Sequence, residues 1–295
     1  MKKSLLLLAV LAIVFVGCKD PDDPNNEPKE PQVTPKWCST QVEKKHAILE
    51  EFTGQGCGYC PDGHRIVNEI MAEYPGQVFG VNIHAGGYAN GHYMTTDGTK
   101  YANDADIAGY PAGSVNRHVF SAYSQDEKGG MAISRGYFET AAKNMMKKTS
   151  PVNIKATAEI DKATRTLSVK VKGYYTADPT DANDNVLSSN SLYVLLLQDS
   201  VLGEQANGAY YNPSQMVNGQ YCHMHMLRDC ITETWGDAIT PKAGTGFTKE
   251  YTYAIPETIG NDKVPAVLEH LKVLVFIAEG KREIYTVDEP TMVLK

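Results

Sequence analysis

Cys57-Gly58-Tyr59-Cys60 places two thiols three residues apart. That spacing suits a reversible dithiol or half of a zinc site. As a redox pair, the N-terminal Cys57 is the more exposed member and attacks a substrate disulfide. Cys60, one turn on and more buried, resolves the mixed disulfide. As zinc ligands the two need further donors. His64 lies four residues after Cys60, one further ligand is missing, and His84 and His92 are candidates for it. A second group of chemistry-bearing residues is Tyr221-Cys222-His223-Met224-His225-Met226-Leu227-Arg228-Asp229-Cys230. In an extended chain His223 and His225 share one face, a spacing a metal ion can use. Two ligands do not make a site, and a structured loop with satisfied histidines is the plainer reading. Arg228 and Trp235 are candidates for docking against the first half of the chain.

The dithiol needs a strand and a helix to hold it. His46 to Phe52 is a short apolar strand pattern, and Thr53-Gly54-Gln55-Gly56 is a glycine-rich turn into Cys57. After Cys60, residues Ile66, Val67, Ile70, Met71 and Tyr74 recur at helical spacing up to Pro75-Gly76. The pair therefore sits at a helix N-terminus, where partial positive charge and free N–H groups favour a thiolate over a thiol. Gln77 to His84 reads as a central strand, and Met131 to Lys148 as a helix with Ile133, Tyr137, Ala141 and Met145 on one stripe.

Strand, acid, aromatic, turn and C-x-x-C in this register resemble the thioredoxin superfamily. The resemblance gives Glu51 the role of a buried acid that shuttles the proton of the resolving thiol. It makes Pro111, in Gly109-Tyr110-Pro111, a cis-proline lying against the dithiol. Gly56, Tyr59 and Ala112 depart from the residues common in that family, and no clear final strand stands between Phe120 and Met131.

Residues 151–295 change texture. Val152, Ile154, Ala156, Ala158 and Ile160 keep a period of two, as do Leu167, Val169 and Val171, with a turn at Asp161 to Arg165. Further strand candidates are 192–198, 247–255, 271–278 and 281–287, the last two joined by a tight Glu279-Gly280 hairpin. The expected fold is an α/β thioredoxin-like domain over 37–150 and an all-β, immunoglobulin-like sandwich over 151–295. No nucleophile elbow, P-loop or dinucleotide fingerprint occurs, and no cofactor is expected.

The N-terminus sets the address. Lys2 and Lys3 precede an apolar run from Leu5 to Val16, about 18 Å long as a helix and too short for a bilayer core. Residues 1–17 read as a secretory signal. Gly17-Cys18 resembles the lipobox of bacterial lipoproteins, which implies acylation of Cys18 and anchorage to a lipid bilayer. Residues 18–36 hold five prolines and no aromatic residue, and read as an extended tether. Its Asp20, Asp22 and Asp23 are either solvating charge or the acidic stretch that sends some Bacteroidetes lipoproteins to the cell surface. In an exported chain close cysteines tend to oxidise, so a Cys222–Cys230 disulfide is expected, with Cys38 left over, exposed beside Trp37. A net charge of -7 over 295 residues argues against nucleic acid as a partner.

The lipobox, the T-G-x-G-C-G-Y-C-P segment, His223-Met224-His225-Met226-Leu227-Arg228 and Thr234-Trp235-Gly236 together resemble the Omp28-related outer-membrane lipoproteins of Bacteroidetes. That resemblance implies an outer-membrane location and leaves the reaction open. Two functions follow from the residues. One is a membrane-tethered thiol–disulfide oxidoreductase acting on protein thiols and disulfides. The other is a surface binding or adhesion lipoprotein in which Cys57–Cys60 is a static disulfide.

Overall fold

The computed structural model describes residues 38–127, 129–260 and 262–295. The expected signal, the expected acylation site Cys18, the expected tether and Trp37 lie outside the described residues. The described residues form one compact unit.

The elements of the first half are β1 (Ala47–Thr53), α1 (Cys60–Glu73), β2 (Val78–His84), α2 (Gly86–Ala89), α3 (Thr96–Asp104), β3 (Ala112–Val115), β4 (Ile133–Ser134) and α4 (Phe138–Lys147). Those of the second half begin with β5 (Val152–Asp161), β6 (Thr166–Tyr175), β7 (Asn190–Gln198), β8 (Val201–Gly203), α5 (Gly208–Tyr211), β9 (Met216–Val217), β10 (Gln220–His223) and β11 (Met226–Cys230). They end with β12 (Asp237–Ile239), β13 (Gly246–Ala254), β14 (Thr258–Ile259), β15 (Val264–Pro265), β16 (Leu271–Glu279), β17 (Arg282–Asp288) and β18 (Met292–Leu294).

The fold is mixed α/β and rich in sheet. A large sheet runs β17-β16-β7-β11-β2-β1-β3-β4, with β12 also paired to β7. β1 and β2 are parallel and buried along their whole length, as strands covered on both faces must be. Their alternation sorts two cores. Ala47 and Leu49 of β1 pack with Val67 and Ile70 of α1 and with Phe138 and Met145 of α4. Ile48 and Phe52 face the other way, onto Tyr101 and Ala102 of α3, and share that core with Tyr193, Leu195 and Phe276. A separate sheet, β13-β6-β5-β18, lays Ala156, Ile160, Val169 and Val171 on Leu192, Leu196, Val273 and Val275.

Four expectations change. First, residue 150 is no domain boundary: β2 joins β11 through the Met226–Asn82 register, Asn82 N–H donates to His225 O at 2.8 Å and Asn82 Nδ2 to Met224 O at 2.9 Å. The strands of the first half and one sheet of the expected sandwich are thereby a single sheet, because pairing β2 with β11 satisfies backbone N–H and C=O groups that each strand would otherwise leave open at an edge. Second, the helix expected from Met131 starts at Phe138. Ile133 is instead in β4, which pairs with β3 through Gly113 and supplies the sheet edge that the sequence left unassigned. Third, the expected Cys222–Cys230 disulfide is absent and both thiols are free. Cys222 is in the small β8-β10-β9 sheet, with its sulfur 3.8 Å from Met224 Sδ, whereas Cys230 is in the large sheet, 3.1 Å from the Tyr101 hydroxyl. Cys38 is likewise not exposed. It is buried, donates to Asn153 O at 3.3 Å, and burial pushes its thiol up to about 11, which makes it a poor nucleophile. Among the described residues no helix is long and apolar enough to cross a membrane.

Candidate functional site

The turn between β1 and α1 is held before any cysteine is reached. Gly56 N–H donates to Tyr88 O at 2.9 Å and Cys57 N–H to Gly54 O at 3.0 Å. A Cβ on Gly54 would meet the backbone of Tyr88 and Ala89 at 2.4 Å, so the α2 segment can lie against this turn only over glycine. Cys60 is the first residue of α1 and Pro61 the second, where a missing N–H costs nothing. Cys57 and Cys60 form a disulfide at the helix end whose partial positive charge would stabilise a released thiolate.

Glu51, the expected acid, lies against Gly63 of α1. Glu51 points to the α1 side of β1 and is completely buried, and among the described residues neither carboxyl oxygen has a hydrogen-bond partner. Burial raises its pKa well above the usual carboxylate value; Arg135 opposes that shift and Asp62 adds to it. Burial without a partner favours the protonated form of such a carboxyl over the carboxylate. Gly63 of α1 lets it approach: a Cβ there would stand 2.1 Å from Glu51 Oε1 and 3.2 Å from Pro111 Cβ. The Tyr110–Pro111 peptide is cis. Cys57, Cys60, Glu51 and Pro111, separated by up to sixty residues in sequence, thus meet around the first turns of α1.

A second constellation borders this one, and the sequence did not assemble it. His64, His84 and His223 are all buried, with ring centroids 5.2 Å apart for His84–His223 and 6.4 Å for His64–His223. Tyr93 and Tyr221 pack against His223 at 5.1 and 5.0 Å. Asn212 Nδ2 donates to the Tyr221 hydroxyl at 3.2 Å, the hydroxyl lies 2.9 Å from His64 Nδ1, and His64 Nε2 lies 2.8 Å from Thr53 Oγ1. This pattern leaves the tyrosine proton to Nδ1 and assigns the ring proton to Nε2. His64 and His84 were zinc candidates, as was His92, which is half-exposed near Asp262. His223 and His225 were a candidate metal pair. His225 turns instead toward Asp199, with 3.3 Å between Nδ1 and Oδ1. Among the described residues no three histidine, cysteine or acidic side chains converge on a metal position. Of the two docking candidates, Trp235 packs on Tyr101 at 5.3 Å. Arg228 is buried and donates to Ile259 O and Val264 O, within the second half of the chain.

The histidines predict an acid limb. Burial lowers His64 to about 3, with His223 and His225 adding to the shift, and burial lowers His223 to about 4. A base whose folded value lies below its unfolded 6.5 stabilises the fold fully above 6.5 and progressively less as pH falls toward the folded value. His223 alone withdraws about 3 kcal/mol by pH 4. Urea midpoints of the wild type should therefore fall between pH 6.5 and 4, and His223→Gln should flatten that slope. An unchanged slope in the variant would remove His223 from the account.

The chain resembles known proteins in two respects. The family model for outer membrane protein Omp28 matches residues 99–287, a span that begins after the dithiol. Among solved structures, HBP35 of Porphyromonas gingivalis superposes with a TM-score of 0.61 at 20% identity, over 85% of this chain and 76% of that one, which is a likeness of fold. A structural-genomics protein of Agrobacterium tumefaciens gives a TM-score of 0.48 at 12% identity, over 84% of this chain and 95% of that one. No curated protein sequence matches. With a family model covering well over half of its length, the chain belongs to the Omp28 family of outer membrane proteins, and its place is the cell envelope.

Proposed function

We propose that this protein is an envelope thiol–disulfide oxidoreductase built on a thioredoxin-like half, anchored to the outer membrane through acylated Cys18. What supports the reading is a disulfide at a helix N-terminus, with a buried, unpartnered carboxyl group against the same helix at Gly63. Cys57 is the nucleophile and Cys60 the resolving thiol. Glu51 gives its proton to the Cys60 thiolate when the disulfide opens and takes it back in the reverse step. Pro111 presents backbone to a substrate chain. The substrates are protein thiols and disulfides of the envelope.

One observation favours the second reading, a binding or adhesion lipoprotein with a static disulfide: Cys57 is only 3% exposed. The two readings part in a trapping experiment. Cys60→Ser in the native host, quenched with acid and alkylated, should yield discrete mixed disulfides through Cys57 on a non-reducing gel. Adding Cys57→Ser should abolish them. Absence of adducts, with the wild-type pair fully oxidised in cells, would sink the oxidoreductase reading.

A further inference from the structure

The burial of Cys57 has a specific cause. From the end of β8 at Gly203 the chain crosses the C-G-Y-C turn and enters α5; Glu204 O lies 3.3 Å from His223 Nε2, and the bonds that follow are to that turn. Ala206 N–H donates to Gln55 O at 2.8 Å. Gln205 Nε2 donates to Cys57 O at 3.0 Å and to Gly54 O at 3.2 Å, and Asn207 Nδ2 to Gly58 O at 3.3 Å. The Tyr211 ring lies 5.7 Å from that of Tyr59. Cys57 and Cys60 beneath are 3% and 0% exposed. An attacking sulfur has to approach along the S–S axis, and so little exposed surface leaves no such approach.

The covering segment itself is weakly held. Glu204, Asn207, Ala209 and Tyr210 are exposed, Tyr210 by 78%. Its attachment is those polar bonds, the Tyr59–Tyr211 ring contact and the buried Gly208 against Tyr221, a small set that opens locally at far lower cost than a packed core. A cavity of about 610 Å³, lined by Gln55, Gly56, Glu204, Gln205, Ala206 and Tyr221, lies alongside and gives the segment room to shift.

We propose that residues 203–211 are a strap that gates the dithiol, with Gln205 and Asn207 as its latch, so that thiol exchange at Cys57 proceeds only from a strap-lifted state. The purpose of the gate rests on the oxidoreductase reading; its existence does not. It reconciles a dithiol placed for chemistry with a nucleophile closed to solvent: the oxidised pair survives in a thiol-containing environment until a partner displaces the strap. Once the strap is up, an incoming thiolate attacks Cys57 Sγ. The S–S bond breaks, its electron pair leaves on Cys60 Sγ, and that sulfur takes a proton. With dithiothreitol as the probe, its second thiol then releases Cys57, giving the reduced pair and the cyclic oxidised reagent.

The test is the rate of reduction of the full-length protein by dithiothreitol, quenched with acid and read by alkylation and mass. Oxidised glutathione is the exposed reference disulfide. Wild type should react at least tenfold more slowly than the reference. Gln205→Ala/Asn207→Ala, which removes three hydrogen bonds, should recover at least tenfold. Gly58→Ala disturbs the latch from the other side, since its Cβ would meet Asn207 Nδ2 at 2.8 Å, and should act in the same direction. Hydrogen exchange at the Ala206 amide should quicken in parallel, with the thermal midpoint of the protein little changed. A wild type as fast as glutathione, or folded variants no faster than wild type, would overturn the gate. Faster variants, together with a Cys60→Ser protein that traps nothing in the host, would uphold the gate and overturn the oxidoreductase reading.

Discussion

Glu51→Gln is expected to slow opening and closing of the Cys57–Cys60 disulfide about 100-fold, while making the protein more stable at pH 7. The rate loss follows from removing the group that carries the Cys60 proton, at the lower end of what a positioned acid–base group contributes. The stability gain follows from linkage. Glu51 is an acid whose folded pKa is raised above its model value of 4.5 by burial. Below 4.5 both folded and unfolded states are protonated and the full stability is present. As pH rises from there toward the folded pKa, the unfolded chain ionises and is favoured, so stability falls. Glutamine keeps the shape without ionising. The variant should therefore match wild type in urea at pH 4 and exceed it at pH 7, while its rate of reduction by dithiothreitol loses the pH limb due to Glu51. These two readouts moving in opposite directions would mark a group retained for chemistry at the expense of the fold. A variant less stable at both pH values would instead make Glu51 a structural residue.

The largest stability loss is expected one residue away. Glu50 points to the other face of β1, where Arg117 donates from Nε and Nη2 to its carboxylate at 2.6–3.1 Å and Ser114 Oγ donates at 3.1 Å. Both members of the pair are buried. The guanidinium carbon sits 4.4 Å from the Tyr101 ring centroid, 4.8 Å from that of Tyr193 and 5.3 Å from that of Phe276. Burial works against the Arg117 charge, but the Glu50 carboxylate more than offsets it and holds the pKa above its usual value. Glu50→Ala strands that charge among aromatic rings and should cost about 3–5 kcal/mol. Replacing both partners, as in Glu50→Leu/Arg117→Met, should cost much less, because no charge is then left buried alone. A urea double-mutant cycle measures the difference. A double variant as damaged as Glu50→Ala would show that the cost lies in packing rather than in the orphaned charge. Arg117 also ties the halves together, since Tyr101 comes from the first and Tyr193 and Phe276 from the second.

Much of the candidate site was legible because its signals are local. A thiol spacing, a strand-to-helix handover, an acid six residues upstream and a proline before an apolar run are all read along the chain. The structure places Cys57, Cys60, Glu51 and Pro111 at one helix end. Reading Glu50 and Glu51 as an equivalent pair would have been an error. A period of two puts them on opposite faces, Glu50 onto Arg117 in the core and Glu51 against Gly63 of α1. The alternating strands of the second half were equally visible, with β5, β6, β7, β13, β16 and β17 close to their expected positions.

What the sequence determined by itself is chemistry and local conformation: the dithiol, its helix, the acid beneath it and the run of strands. Only the tertiary structure decided the rest. It merged the two halves into one sheet through Asn82 and Met226, paired Cys222 and Cys230 with other neighbours, and gathered His64, His84 and His223 from three distant segments. It also laid the strap 203–211 over Cys57. The physical reason is common to all four. Each depends on contacts between residues more than a hundred positions apart or in separate sheets, chosen by which apolar faces and unpaired backbone groups find cover. Periodicity records that a face must be buried, but not which distant segment buries it.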